Sequence, residues 1–418
     1  MKLLNKIEFN FLEKVMLKLF SGRFKNNLML ALSFFLMPMI VSCGQNNKPG
    51  KEYKAIDVEP FANSIHHWYD IYADDNIIEP KRNQPRYKTT QVVEIADNIL
   101  LYQKENGGWP KNYDMLAILN DAQKDSLLKS RNILNTTFDN WTTHTHVEYL
   151  AKAFDETKIE RFKDGCIKGI EYILSAQYPN GGWPQFYPDT SGYRKYITFN
   201  DGVVTGIMTV LKNVLDNKPY YSFVDKNLRE KIKSAYDKGL DCILKCQIKD
   251  KGKLTAWGQQ HDNVTLLPQW ARAFEPPSIC NGESVGVVLF LMSIDNPSKK
   301  VINSIQNAVK WFDDSKITGI RIETKRVTPV KYKWSTISID RFVVDDPKAP
   351  PIWTRYYELG TERPLFCNRD SKVVYKLADV LHERRGGYTW YTYDPQQVLD
   401  VYPEWQKKWA PDDNVLNK

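Results

Sequence analysis

The chain is poor in the residues that build metal and redox scaffolds: its 418 residues contain six Cys and six His. No Cys-x-x-Cys pair and no Cys/His zinc spacing occurs, which excludes zinc ribbons and fingers. His144 and His146 are only two apart, and a transition-metal centre is not expected. Cys242 and Cys246 are one helical turn apart, which suits two buried thiols on one helix face better than a disulfide framework. Positive charge is also modest. Of the formal net +8, about half lies in residues 1–42, which hold six Lys/Arg against two Glu, and no polybasic tract follows. Nucleic acid is therefore not an expected partner. No Ser/Gly/Pro-rich linker interrupts the chain after its beginning, so one large domain is expected.

The one long apolar run is residues 28–42, preceded by scattered Lys and Arg and followed by Ser42-Cys43-Gly44. It is short and broken by Pro, a poor membrane span. Its pattern resembles a bacterial lipoprotein signal with Cys43 as the lipidated residue. The expected organisation is a signal segment over 1–42, a lipid-anchored tether over 43–60, a domain over 61–410 and a tail over 411–418. Such a protein is exported, sits in the bacterial envelope facing the periplasm or the outside, and meets the membrane only through its anchor. A monomer is expected.

What the chain does have is a repeat. Trp109, Trp183 and Trp257 are spaced 74 residues apart, twice over. Each follows an apolar segment ending in Gln: Ile99 to Gln103, Ile173 to Gln177 and Ile243 to Gln247. The first two sit in Gly-Gly-Trp-Pro loops, while the third is the degenerate Ala256-Trp257-Gly258. A long fixed period means one supersecondary unit used several times. Apolar residues at helical spacing precede each loop, and further helices are predicted over 143–154, 203–215, 282–294, 301–312 and 371–385. The expected fold class is mainly α, a toroid or solenoid of helical hairpins with its Gly/Trp loops on one face, where an extended ligand could lie, and a few short strands. The strands are expected within 319–346, which is richer in Val, Ile, Thr and Tyr. Gln…Gly-Trp repeats also occur in cyclases of the isoprenoid type, but the Asp-rich proton-donor motif such an enzyme requires is missing. Twelve Trp and 23 Tyr suit sugar recognition, because aromatic faces pack on sugar rings.

Chemistry-bearing residues fall between the repeats. Asp139, Asn140 and Asp201 lie at loop-to-helix junctions, where a carboxylate serves equally as a helix cap or as a hard oxygen ligand for calcium. His261 and Asp262 follow the third Trp. Arg272, Arg355 and Arg369 sit in aromatic, Pro-punctuated segments, where a guanidinium either pairs a local acid or recognises a planar carboxylate.

Seven ordered segments from about Gln91 to Tyr391 resemble the pectate lyases of polysaccharide lyase family 10. They are QYPNGGWPQFYP, ITFNDG, WGQQHD, P-x-x-ARAFE, a looser match over Glu283–Met292, W-x-RYYELGT-x-x-P-x-F-x-x-RD and ERRGGYTWY. The resemblance implies an (α/α) toroid of helical hairpins with a substrate groove on one face, and calcium-assisted cleavage of polygalacturonate by β-elimination, giving 4,5-unsaturated oligogalacturonates. It implies Arg272 as the base and Asp139, Asn140 and Asp201 as the calcium and substrate-carboxylate cluster. Arg355 and Arg369 would be substrate-binding arginines, and His261 and Asp262 fall in a family motif and are expected at the substrate. One position departs from the family: Trp141 stands where a Gly follows the Asp-Asn pair.

A guanidinium is an unusual base because it is effectively always protonated. By pKa alone His261 is the conventional rival. Two other functions remain open on the sequence. A glycoside hydrolase would pair Asp201 with Asp262 or Glu283, and a non-catalytic lipoprotein would capture polyuronates without cleaving them.

Overall fold

The computed structural model describes residues 53–71, 76–81 and 83–417, all within one compact unit. The signal segment, Cys43 and most of the tether lie outside these residues. The end of the expected tether is docked, not free: Ile56 is buried in the core and the Tyr53 amide donates to the Thr90 carbonyl at 3.1 Å. The tail is docked as well, with Gln306 donating to the Asp413 carbonyl at 2.7 Å and the Val415 amide donating to Tyr402. No helix among the described residues is long and apolar enough to cross a membrane.

Helices α1 (Ala62–Asp70), α2 (Val92–Tyr102) and α3 (Asp121–Lys129) precede two hairpins, α4 (His144–Thr157) with α5 (Glu160–Ser175) and α6 (Val203–Leu215) with α7 (Lys226–Cys246). A third hairpin is α8 (Asn281–Met292) with α9 (Lys299–Asp314), followed by the short α10 (His382–Gly387) and α11 (Pro395–Trp409). Contacts run along two rows. The inner row is α4, α6, α8 and α11, and the outer row is α2, α5, α7 and α9. This is an (α/α) toroid. Residue type sets the rows apart: α6 buries Val203, Val204, Ile207, Met208, Val210, Leu211 and Val214, whereas α7 keeps Lys and Asp on a solvated face. Asp225 starts α7 by accepting the Leu228 amide at 2.8 Å.

The repeat is visible bond by bond. Trp109 donates its indole N–H to the Ile99 carbonyl at 2.8 Å, Trp183 to Ile173 at 2.9 Å and Trp257 to Ile243 at 2.7 Å. The Gln at the end of each outer helix uses its amide nitrogen twice. It holds its own loop and reaches the next outer helix: Gln103 to Gly107 and Gly165, Gln177 to Gly181 and Ala235, Gln247 to Thr255 and Ser304. The loops must approach closely to do so. Gly107 and Gly181 have φ of +87° and +92°, and a Cβ there would collide with the carbonyl oxygens of Lys168 and Lys238. A fourth member was hidden in the sequence: Trp353 donates to the Phe312 carbonyl at 2.8 Å, closing the loop after α9.

Its spacing is irregular because residues 319–346, expected to hold short strands, form one long hairpin. Strands β1 (Ile197–Thr198), β2 (Lys249–Asp250), β3 (Lys253–Leu254), β4 (Gln260–His261) and β5 (Ile279–Cys280) are short; β6 (Ile320–Lys331) and β7 (Thr336–Asp345) are not. β8 (Trp353–Thr354), β9 (Tyr356–Tyr357), β10 (Pro364–Cys367), β11 (Val373–Val374) and β12 (Tyr391–Thr392) complete the set. β1 pairs antiparallel with β4, β8 with β12, and β5, β9, β10 and β11 form a four-stranded sheet. The helix expected over 371–385 is corrected: it is β11, a 3-10 turn at Leu377–Asp379 and only then α10. Pairing of β11 with β10 wins over local helix pattern there. All five cysteines after Cys43 are free and buried, and Cys242 and Cys246 lie 4.0 Å apart at sulfur.

Candidate active site

Each repeat Trp is buried, and the residue two positions later carries a polar group that meets an acid. Lys111 binds Asp139 Oδ2 at 2.5 Å, and Gln185 donates to Asp139 Oδ1 at 2.8 Å. Gln259 donates to Glu275 Oε1 at 2.7 Å, and Arg355 donates to Glu283 Oε1 at 2.9 Å. The anchoring indole thus sets the register of a polar lining contributed by four successive loops. Gln260 extends it by donating to Gln185 Oε1 and Thr198 Oγ1, both at 3.2 Å, across the β1–β4 pair.

Asp139 and Asp201 lie on two 3-10 turns, Asp139–Trp141 and Asn200–Gly202, that pack on each other. Asn140 and Asp201 have φ of 52° and 50°, a left-handed conformation that Asn and Asp tolerate best among residues with a Cβ. The two carboxylates have opposite electrostatics. Burial would raise the Asp139 pKa, but the Lys111 ammonium and its hydrogen bond, with Arg272 and Gln185, hold it well below the usual carboxylate range. Burial, Asp139 and Glu283 push Asp201 up to about 8, against the opposing pull of Arg272 and Arg355. Burial is the largest of these causes, and the two neighbouring acids add to it.

Facing the acids is an arginine cluster built on two rings. The guanidinium carbons of Arg272, Arg369 and Arg384 lie 5.0, 4.9 and 4.6 Å from the centre of the Phe274 ring. Arg355 lies 4.7 Å from the centre of the Tyr388 ring, which meets Phe274 edge-on at 5.1 Å. Stacking holds the guanidinium planes while leaving their edges for carboxylates. Glu275 receives the Arg272 guanidinium, the Arg272 amide at 3.1 Å and the Tyr388 hydroxyl at 3.2 Å. Burial opposes the Arg272 charge, but Glu275, Tyr388 and Asp201 hold its pKa raised.

The structure thus brings together Asp139, Asn140, Asp201, Arg272, Arg355 and Arg369. His261 and Asp262, the other two expected substrate residues, have polar atoms engaged within their own loop. His261 is fully buried; its Nδ1 meets the Leu266 carbonyl at 2.8 Å and its Nε2 accepts the Gly258 amide at 2.9 Å. Burial lowers its pKa to about 4, so the ring is a neutral brace for its loop with no nitrogen left for a proton transfer. Asp262 Oδ1 accepts the amides of Val264 and Thr265 at 3.0 and 2.8 Å, the role of a turn former. Trp141 keeps the backbone a Gly would adopt, with φ of 63°, and its ring lies over Gly202 and 6.0 Å from His144.

The sequence model of the pectic acid lyase family matches residues 103–399. The chain belongs to that family. The lyase is similar to two solved structures, a family 10 polysaccharide lyase from Cellvibrio cellulosa and a point mutant of it in complex with trigalacturonic acid. Each is 28% identical and covers 75% of this chain and 92% of its own, with TM-scores of 0.63 and 0.64. No curated protein matches the chain. Membership of a lyase family sets the hydrolase reading aside.

The residues missed in sequence are Lys111, Gln185, Gln259, Arg384 and Tyr388. A signal for the first three existed: they are two positions past the repeat tryptophans, as is Arg355. Glu275 follows Phe274 directly and was legible as a local partner for Arg272, whereas Arg384 and Tyr388 had no signal, because only the fold brings them to Phe274.

Proposed function

We propose that this pectate lyase cleaves polygalacturonate by calcium-assisted β-elimination and releases 4,5-unsaturated oligogalacturonates. The observation that carries the reading is geometric: the turn bearing Asp139 and Asn140 packs on the turn bearing Asp201, in the field of Arg272 and Arg355. Hard oxygen groups gathered on adjoining turns suit a hard cation, and Asp139, Asn140 and Asp201 would supply oxygen ligands of the kind calcium takes. Among the described residues no three His, Cys, Asp or Glu side chains form a ready-made metal cage. The uronate carboxylate would then complete the shell, which couples metal binding to substrate binding. When bound, calcium neutralises the C6 carboxylate and so acidifies the neighbouring C5 proton.

The chain's own residues supply the rest. Arg355 and Arg369 orient uronate carboxylates, and Arg355 keeps an Nε with no hydrogen-bond partner among the described residues. Arg272 takes the C5 proton, the C5–H electrons form the C4–C5 double bond, and the C4 oxygen leaves and is protonated. No water is consumed. An ionised Asp201 would raise the Arg272 pKa, so the base form requires that charge to be offset, by a proton or by the cation. The family resemblance supports Arg272 in this role; Glu275 opposes it.

The test is ultraviolet absorbance from polygalacturonate with and without chelator. A rise that chelator abolishes and added calcium restores is expected. Tight binding with no rise would instead establish a capture protein without catalysis. We also propose export and anchoring through Cys43, supported by the apolar run before it; absence of lipid incorporation into the native chain would refute the anchor.

A further inference from the structure

The β6–β7 hairpin interrupts the repeat and is fixed to the segment that carries Arg384. Arg341 donates to the carbonyls of Arg385, Gly386 and Tyr388 at 3.1, 2.6 and 3.1 Å. Arg385 forks onto Asp340 with two contacts of 2.7 Å. His382 meets the Ile339 carbonyl through Nε2 at 3.0 Å and the Tyr332 hydroxyl through Nδ1 at 2.9 Å. The hairpin end is therefore held over α10 by a defined set of bonds.

Between them lies a cavity of about 410 Å³, lined by Tyr332, Arg369, Leu381, His382, Glu383 and Arg384. That volume is within the roughly 300–1,000 Å³ of small-ligand sites. Its charge is unbalanced. Glu383 is shared by Arg369, at 2.7 Å, and Arg384, at 3.2 Å, two guanidiniums on one carboxylate. The Arg384 side chain is only 9% exposed, and its Nε has no hydrogen-bond partner among the described residues. An anionic ligand in the cavity would share the edges of the Arg369 and Arg384 guanidiniums with Glu383. Leu381, 60% exposed, and the Tyr332 ring give the same cavity an apolar side of the kind a sugar ring packs on. The cavity is also continuous with the catalytic cluster, since Arg369 and Arg384 stack on the ring that Arg272 stacks on.

We propose that this hairpin-walled cavity extends the catalytic cluster into a further uronate subsite, in which Arg384 and the Tyr332 wall hold an acidic sugar unit of the polymer beyond the unit undergoing elimination. It rests on the reading of the enzyme as a polygalacturonate lyase. The subsite makes the enzyme favour longer chains, because a trimer seated at the reacting position gains less from it than a hexamer.

The experiment compares kcat/KM for hexagalacturonate and trigalacturonate in the native protein, in Tyr332→Ala and in Arg384→Gln, with calcium present. The hexamer-to-trimer ratio is expected to fall about tenfold in Arg384→Gln, as loss of one charge-assisted contact predicts. It should fall in the same direction in Tyr332→Ala, which alters only the hairpin wall and keeps the test valid if Arg384→Gln fails to fold. A native-like ratio in folded Tyr332→Ala, or equal losses on both substrates, would overturn the subsite while leaving the lyase reading intact. Failure of the native protein to cleave either oligomer would sink both.

Discussion

Lys111 and Gln185 occupy the same position in two successive repeats and take opposite oxygens of one carboxylate, Asp139. A structural repeat has thereby been turned into a clamp. The buried indoles two residues earlier fix where each polar head lies, so the site inherits the rigidity of the toroid.

Arg272→Lys tests the base. Lysine keeps the positive charge but loses the fork and the planar stack on Phe274. Turnover should fall by about 10²–10⁴-fold, the range for general-base loss, with oligogalacturonate binding nearly kept. A change confined to KM would remove Arg272 from the chemistry.

Asp201→Asn separates stability from function. The carboxyl is held against its preference by burial, Asp139 and Glu283. At pH 7, where the carboxyl is already largely protonated, Asp201→Asn should leave the Tm of the calcium-free protein near the native value while abolishing the Tm increase that calcium gives the native enzyme. An undiminished calcium response in this variant would exclude Asp201 as a ligand.

Trp141→Gly examines the departure from the family pattern. A bulky residue at φ of 63° carries strain of order 1–3 kcal/mol, which glycine relieves. Because the backbone already has the glycine-like shape, calcium-dependent turnover should persist. Its loss would show that the indole itself contributes to the site.

Acid should destabilise the fold through buried histidines. Burial lowers His144 and His261 to about 4 and His146 to about 3, all below the ordinary 6.5. Their folded-state pKa values are depressed, so their contribution is fully present above pH about 6.5 and is lost as pH falls toward 4. For His261 alone the loss is on the order of 3 kcal/mol. Denaturant midpoints from pH 7 to pH 4 should fall accordingly, and His261→Gln should flatten part of that fall.

Gln247→Leu probes the repeat. It strands two carbonyls, those of Thr255 and Ser304, in a buried setting. A destabilisation of about 2–4 kcal/mol is expected from unfolding curves. A neutral result would mean that water replaces the amide.

The sequence by itself determined the helical repeat, because a Trp and a Gln at fixed spacing satisfy the same carbonyls in every unit. It also determined the acids and arginines between repeats, whose segments are local and contiguous. It could not show the fourth unit, because the β6–β7 hairpin lengthens that interval and Lys316 stands where the other units have Gln. The role of each polar group depended on what surrounds it in space. His261, chemically the better base, is spent on two backbone contacts; Arg272, the poorer one, faces the acids. Phe274 gathers three arginines that are far apart in the chain, and Glu275 and Glu383 decide how much charge they keep. Burial and pairing are properties of the tertiary structure, because charge and pKa follow neighbours in space and not neighbours in the chain.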